Sequence, residues 1–517
     1  MIKGVGKWSH DGIKENSPAS RFLEEVTSQI DYKPLRASIS RELEAHIQDR
    51  MEEYEAQGIS HEEAQRLAVQ AMGSAVKLGE ELNQVHQIRK NPVLTVWALL
   101  LLLLGFAVSA WMRWSPEQFA NGYWYYLPGL LILGVTAAVG YPLVIRFQKK
   151  LVWIFGSLYG IWFLFAEAIR YEKWHELVDQ MFCNSNRIFS LTGSTHVITY
   201  SALLLFGPVL ILFFHQWRER GKGAVLAVMT LCGGVIFWCN RRVLYDFGLS
   251  ASAILLFCVT GTLMFMIRRD WIRGKKRNMY GIVLASFLIV SGGLFLSPNN
   301  QPWMMRFFNP GRHVISTWDD TYNAVLIQEL LGKTPLAGGL ELTEEELMEY
   351  GTGAWYFEDS NQWRTYGIFN PYINREDLEI TLWDILPQHY HNNYIIAVCI
   401  LLYGWLPGMV LMAGIGGFYL VMFFCIRRIH GRLASSMAYC CWLCMLFQGI
   451  FYVLGNFGYQ YGFFSNLPMI SEGKISILVN MIMLGFVFSA YRYDHVAEDF
   501  EGAKCGEIGV SQGHTVF

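Results

Sequence analysis

Charge is scarce in this sequence. Asp, Glu, Lys and Arg make up 16% of its 517 residues, against about 25% in ordinary soluble domains. A chain so poor in charge cannot turn its whole surface to water. Its net charge of −2 offers no electrostatic ground for a nucleic-acid partner. The first residues, MIKGVGKWSHDGIKENSPAS, lack an apolar stretch. No cleavable signal peptide is therefore expected, and the first long apolar segment should itself direct insertion. Paired external cysteines are lacking too. Cys232, Cys239, Cys258, Cys399, Cys425, Cys440, Cys441 and Cys444 lie in or beside apolar runs, and Cys183 falls in an expected external loop without an obvious partner. That pattern argues against a disulfide framework. Cys440, Cys441 and Cys444 are crowded like a soft-metal site, but small residues packing between helices is the simpler account. No metal and no cofactor is expected.

Apolar and aromatic residues are what the chain has in abundance. Hydrophobic residues make up 53% and aromatics 15%, with 18 Trp, as suits a protein anchored at membrane interfaces. The expected fold class is all-α: a polytopic membrane protein with about ten transmembrane helices, preceded by a small cytoplasmic helical domain. The spans fall near 93–111, 124–147, 151–169, 197–214, 224–239, 248–267, 279–297, 406–426, 434–453 and 475–490. Several are shorter than the roughly 20 residues that cross a bilayer, so their ends are approximate.

Before the spans, residues 1–20 are polar and expected to be disordered. Residues 21–90 repeat apolar positions at three- and four-residue spacing, the mark of amphipathic helices. Gly58 and Gly73 stand where helices should stop, and Ser60 with Glu63 has the spacing of a capping box. The main body is expected over 91–495, with a disordered cytoplasmic tail at 496–517.

Short loops set orientation. With the N-terminus inside, fifteen basic residues fall in the inside loops: Arg146, Lys149, Lys150, Arg218, Arg220, Lys222, Arg268, Arg269, Arg273, Lys275, Lys276, Arg277, Arg427, Arg428 and Arg432. Seven fall in the short outside loops: Arg113, Arg170, Lys173, Arg187, Arg241, Arg242 and Lys474. The bias predicts both termini in the cytoplasm and an even number of spans. Residues 298–392 then form one long external loop with an acidic helical run, LTEEELMEY, and aromatic-rich stretches. Loops of that length are often functional.

Several segments, taken in order, resemble the SEDS family of bacterial cell-wall membrane proteins, the FtsW/RodA/SpoVE type. After its largest external loop that family reads roughly LPEAHTDFIFA and then a glycine turn. Here the run is LPQHYHNNYIIAVCILLYGWLPG, Leu386 to Gly408, with one extra residue after Leu-Pro. The family's N-x-G is matched by Asn456-Phe457-Gly458, and its LPLISYGGSS by Leu467-Pro468-Met469-Ile470-Ser471-Glu472-Gly473-Lys474. Asp246-Phe247-Gly248 is similar to its D-L-G, and Tyr322-Asn323 with Gln328 to a helix opening the large loop. The likeness spans about residues 92–495. Residues 21–90 resemble the permease prefix domain that precedes several membrane proteins of Gram-positive bacteria.

The resemblance implies a bacterial plasma-membrane protein of peptidoglycan synthesis, cell shape or cell division. Similar proteins polymerise lipid II, an undecaprenyl-linked precursor, beside a class B penicillin-binding protein. Such glycosyl transfer needs a general base for the acceptor hydroxyl and positive groups for the departing pyrophosphate. The family's catalytic Asp aligns with Asn393, after His391 and Asn392. An Asn cannot take up a proton as a general base. Substitute bases would be Asp384, His391 or Glu472, and substrate-binding candidates are Arg312, Arg187, Asp246, Lys474 and Ser471. Bland roles compete: Glu472 with Lys474 as a surface ion pair, the arginines as anchors to lipid phosphate, Asp246 as a partner of Arg242. A non-catalytic protein that binds the lipid-linked precursor or regulates a transpeptidase is the rival account. A lipid-precursor transporter ranks last, because no internal repeat with paired broken helices is visible.

Overall fold

The structure, a computed structural model, describes residues 17–85, 89, 91–111, 126–169, 191–242, 247–298, 300–308, 320–351, 354–357, 362–365, 381–386, 390–460, 465–471 and 474–494. Contacts divide the chain into two units, residues 1–90 with 492–517, and residues 91–491. The polar ends expected to be disordered lie largely outside the described residues, at 1–16 and 495–517.

The first unit holds four helices, α1 (Pro18–Ser28), α2 (Lys33–Ala56), α3 (His61–Ala71) and α4 (Ala75–Val85). Leu35, Ile39, Leu43, Ile47 and Met51 recur every four residues on α2 and are buried, together with Phe22, Leu23 and Val26 of α1. That stripe is what makes so polar a helix pack. Gly58 and Gly73 adopt φ of 87° and 82° after α2 and α3, a left-handed turn that glycine enters without steric cost. The expected capping box does not form. Ser60 occupies the N-cap position of α3 but its side chain makes no capping bond. Glu63 instead meets Arg66 at 3.0 Å, a charged partner one turn away on its own helix.

The second unit begins with α5 (Pro92–Trp111), 20 residues long, the length that crosses a bilayer core. Among the described residues eight helices are long and apolar enough to cross a membrane. They are α6 (Tyr126–Ile169), α7 (Leu191–Trp217), α8 (Lys222–Arg242), α9 (Phe247–Arg268), α10 (Lys276–Leu296) and, later in the chain, α17 (Trp405–Arg427), α18 (Arg432–Asn456) and α19 (Lys474–Tyr493). The 44 residues of α6 would rise about 66 Å, twice the core thickness of about 30 Å. The helix kinks at Phe147, whose φ of −118° and ψ of 16° are not helical. Arg146, Lys149 and Lys150 flank the kink. The charged kink divides the helix into two apolar stretches, each long enough to cross a bilayer core. Counting α5 and both stretches of α6, the described residues hold ten apolar helical segments of spanning length, and the chain is an all-α polytopic membrane protein.

Helices α7, α9 and α18 pack on one another at the centre, whereas α6 leaves Leu131, Trp153 and Leu164 exposed, as a lipid-facing helix would. Cys440, Cys441 and Cys444 of α18 are buried free thiols. A Cβ on Gly207 of α7 would lie 3.2 Å from the Cys440 sulfur, so the small residues do serve close helix packing. Gln448 of α18 and Asn480 of α19 are fully buried and exchange amide hydrogen bonds at 3.0 and 3.4 Å.

Between α10 and α17 the chain builds a segment of short elements. They are α11 (Gln301–Phe308), α12 (Asp320–Lys333), α13 (Glu344–Gly351), a hairpin of β1 (Ala354–Phe357) and β2 (Gln362–Thr365), α14 (Leu382–Ile385), α15 (Tyr390–Asn393) and α16 (Ile395–Tyr403). The hairpin is antiparallel, with Ala354 opposite Thr365. The sequence pattern suggests one helix running from Asn393 into the eighth span. Instead Gly404, at φ 93° and ψ 175°, separates α16 from α17. At 9 residues α16 is too short to cross a membrane, yet it is apolar and buried.

Candidate functional site

A short buried helix raises a strict problem of hydrogen bonding. Its first amides and last carbonyls have no partner within the helix, and apolar surroundings supply none. The residue before α16, Tyr394, provides no side-chain cap. The partners come from α18. Asn456 Oδ1 accepts from the amides of Ile396 and Ala397 at 3.0 and 3.1 Å. Its Nδ2 donates to Asn393 O and to Tyr452 O, each at 2.9 Å. The Tyr452 hydroxyl accepts from the Ile395 amide at 3.1 Å and donates to Asn392 O at 2.8 Å. Two fully buried polar side chains thus cap α16 and hold the α15–α16 junction by its backbone.

The other end of α16 is fastened to residues 335–340. Gly338 N donates to Tyr403 O at 3.2 Å, Trp405 N to Pro335 O at 3.2 Å and Leu406 N to Leu336 O at 2.9 Å. A Cβ at Gly404 would meet Ala337 Cα, Gly338 O and Leu336 O at 2.9 Å. Glycine is therefore required both by the left-handed φ and by the close approach. Gly458, at φ 82°, is similarly bound: a Cβ there would lie 2.7 Å from Gln328 Cγ and 2.8 Å from Ala324 O. Gln328 Nε2 donates to Phe457 O at 3.0 Å. The Trp405 ring stacks on Phe457 with centroids 5.9 Å apart. Gln328, the 386–408 run and the Asn456-Phe457-Gly458 turn thus meet, although they are far apart in sequence.

Asn393 closes α15 and is half-buried. Its carbonyl is held by Asn456, and its side chain makes no hydrogen bond among the described residues. Beside it, Asn392 Oδ1 is buried without a partner among those residues. An aromatic group borders the junction. Trp383 of α14 meets Tyr390 of α15 at 5.7 Å, Trp111 of α5 meets Trp383 at 6.0 Å, and Trp111 stacks on Tyr403 at 5.8 Å. This is the company expected at the edge of a bilayer. Chemically, the described side chains offer neutral amides and phenols, able to hydrogen-bond a sugar but not to accept its proton at neutral pH.

The remaining candidates separate. Asp384 lies in α14 and His391 in α15, but their side chains lie outside the described residues. So does that of Lys474, which opens α19. Arg187, Asp246, Arg312 and Glu472, with Cys183, lie outside the described residues altogether, and so do the Asp246–Arg242 and Glu472–Lys474 pairings. Ser471 is buried and spent on its own turn, where its Oγ accepts from Leu467 N at 2.8 Å. That turn packs against α5 and α6. A Cβ on Gly105 would lie 2.9 Å from Ile470 Cα, and the Tyr126 hydroxyl donates to Ile470 O at 3.5 Å. Met469 takes a left-handed φ of 70° there. Tyr452 was not among the sequence candidates. Its signal is faint: a Tyr four residues before Asn456, on the same face of one helix.

No family model and no curated protein matches the chain. Among solved structures, one similar chain belongs to a structure described as "Structural coordination of polymerization and crosslinking by a peptidoglycan synthase complex". The alignment covers 79% of this chain and 98% of that one, at 15% identity and a TM-score of 0.49.

Proposed function

We propose that this chain is a SEDS-type membrane protein of peptidoglycan synthesis, serving cell shape or cell division, with both termini in the cytoplasm. In this account it holds lipid II or a related undecaprenyl-linked precursor at the α15–α16 junction and is a slow or inactive polymerase. One observation carries the proposal. The segments that resemble the family, dispersed from Gln328 to Gly458, meet around one capped helix, α16, and Asn393 closes the short helix just before it. A chain that kept those motifs by accident has no physical reason to join them by buried hydrogen bonds. The amide at position 393, where the family carries a carboxylate, favours a second role on the same site: binding precursor while regulating a class B penicillin-binding protein.

The test is glycan synthesis by the purified full-length protein supplied with labelled lipid II, with and without a candidate transpeptidase. General-base catalysis contributes about a hundred- to ten-thousand-fold. The unmodified protein should bind lipid II yet form little polymer, and Asn393→Asp should raise polymer formation within that range. Failure to bind lipid II would overturn the family reading. Rapid polymerisation by the unmodified protein would leave the family reading standing and transfer the base to Asp384, His391 or Glu472.

A further inference from the structure

Two turns of the second unit border a cavity. The turn from α7 to α8 passes through a 3-10 segment, Arg218–Arg220, and Gly221. The turn from α9 to α10 spans residues 269–275. The two turns are separated by two crossings, so they lie on the same face. They are locked together at Gly221, whose φ is 58° and where any Cβ would collide with Arg273 O. Between them lies a cavity of about 270 Å³, lined by Glu219, Arg220, Gly221, Lys222, Arg273, Gly274, Lys275, Asn278 and Met279. That is slightly below the range of about 300–1,000 Å³ that holds drug-sized ligands.

The charges around this cavity are unbalanced. Arg220, Lys222, Arg273 and Lys275 line it with one carboxylate, Glu219, which meets Arg218 at 3.6 Å, while Asp270 of the second turn is paired with Lys276 at 2.6 Å. No ion pair engages Lys222, Arg273 or Lys275 among the described residues. Helices α8 and α10 both begin at the rim, so their dipoles add positive potential of the same sign. Trp217 and Trp271 flank the site, with Arg220 over the Trp217 ring at 5.0 Å and Arg269 near Trp271 at 5.9 Å. Tryptophans of this kind sit at headgroup level. About one turn into α8 and two turns into α10, Leu226 and Leu284 are exposed, and the two helices pack together. Basic residues thus line the cavity, and exposed apolar side chains lie further along the two helices that begin at its rim.

We infer that this cavity binds the phosphate headgroup of an anionic phospholipid, with its acyl chains along α8 and α10. A soluble phosphate shares the headgroup chemistry but makes no use of Leu226 and Leu284. Each basic residue near an anionic surface contributes about fivefold in affinity. Removing three should weaken binding on the order of a hundredfold.

The test is native mass spectrometry of the purified full-length protein in detergent, titrated with phosphatidylglycerol or phosphatidylcholine. Phosphatidylglycerol should be retained in preference to phosphatidylcholine. The exposed triple variant Lys222→Gln/Arg273→Gln/Lys275→Gln should lose that preference. The variant Lys149→Gln/Lys150→Gln, from another basic turn, should keep it. Equal retention of the two lipids would overturn the proposal, and so would equal loss in both variants, which indicates diffuse attraction rather than a site. Displacement of the lipid by millimolar glycerol 3-phosphate would also overturn it, by showing that the headgroup alone suffices. Thermal unfolding of both variants, expected to match the unmodified protein, excludes a folding defect.

Discussion

Asn456 fills its whole hydrogen-bonding capacity with backbone: two amides donate to its oxygen, and its nitrogen donates to two carbonyls. A role in chemistry would have to break one of those bonds, so this residue positions rather than reacts. Replacing it strands buried groups at about 1–3 kcal/mol each. Asn456→Ala should therefore lower the melting temperature of the purified protein by several degrees. Asn393→Ala should leave it nearly unchanged, because that side chain makes no hydrogen bond among the described residues. Equal losses would mean that Asn393 is structural as well. The same contrast explains what sequence could tell about the site. The Asn-Phe-Gly turn was visible as a motif through its resemblance. Its capping of a helix some 60 residues earlier was not, since local periodicity carries no information about a partner on another helix.

At the scale of elements, long apolar runs made the spans legible, because a bilayer demands about 20 such residues whatever else the helix does. Junctions were less so. The break at Gly404 is imposed by residues 335–340 packing against it, a tertiary cause. Capping shows the same limit. Ser60 and Glu63 have the right spacing but form no box, whereas Thr343 and Glu346, inside an acidic run, do. Thr343 N donates to Glu346 Oε2 at 3.0 Å, and Glu346 N donates to Thr343 Oγ1 at 3.2 Å. Lys333 of α12 then clasps α13 by donating to Tyr350 OH at 2.7 Å and to Glu346 Oε1 at 3.0 Å. The Thr343 amide, and then Lys333, hold the Glu346 carboxyl below its ordinary 4.5. Tyr350 and Glu346 hold the Lys333 ammonium above its ordinary 10.5. A depressed carboxyl stabilises the fold above its unfolded value and loses that contribution as pH falls through the folded one. A raised ammonium does the reverse, losing its contribution as pH rises through the folded value. The clasp should be complete between pH 4.5 and 10.5 and weaken outside that window. Both groups are exposed, so the effect should be local: faster proteolysis within 333–351 at pH 3 than at pH 6, by an acid-tolerant protease and corrected for its own pH dependence. Unchanged cleavage in Lys333→Gln at pH 6 would show that the clasp does not secure α13.

For the whole molecule the decisive question is which side of the membrane each loop occupies. With α6 crossing twice, the described spans put the kink of α6 and the turns at 218–221 and 269–275 on one face. The elements from α11 to α16 then lie on the other. The inside assignment of the first face rests on its Lys/Arg excess. The proposed function demands the same arrangement, because polymerisation of a wall precursor requires the α15–α16 junction outside. Topology can be measured directly. The eight described cysteines are buried or half-buried, so replacing Cys183 and Cys505 by Ser should leave little background reactivity. In that protein Glu345→Cys, exposed at the start of α13, should react with a membrane-impermeant maleimide on intact cells. Lys149→Cys, beside the α6 kink, should react only after lysis. The reverse pattern would invert the molecule, move the junction to the cytoplasm and end the case for wall polymerisation. Reaction of both on intact cells would refute the two-span reading of α6, since the kink and α13 would then share a face.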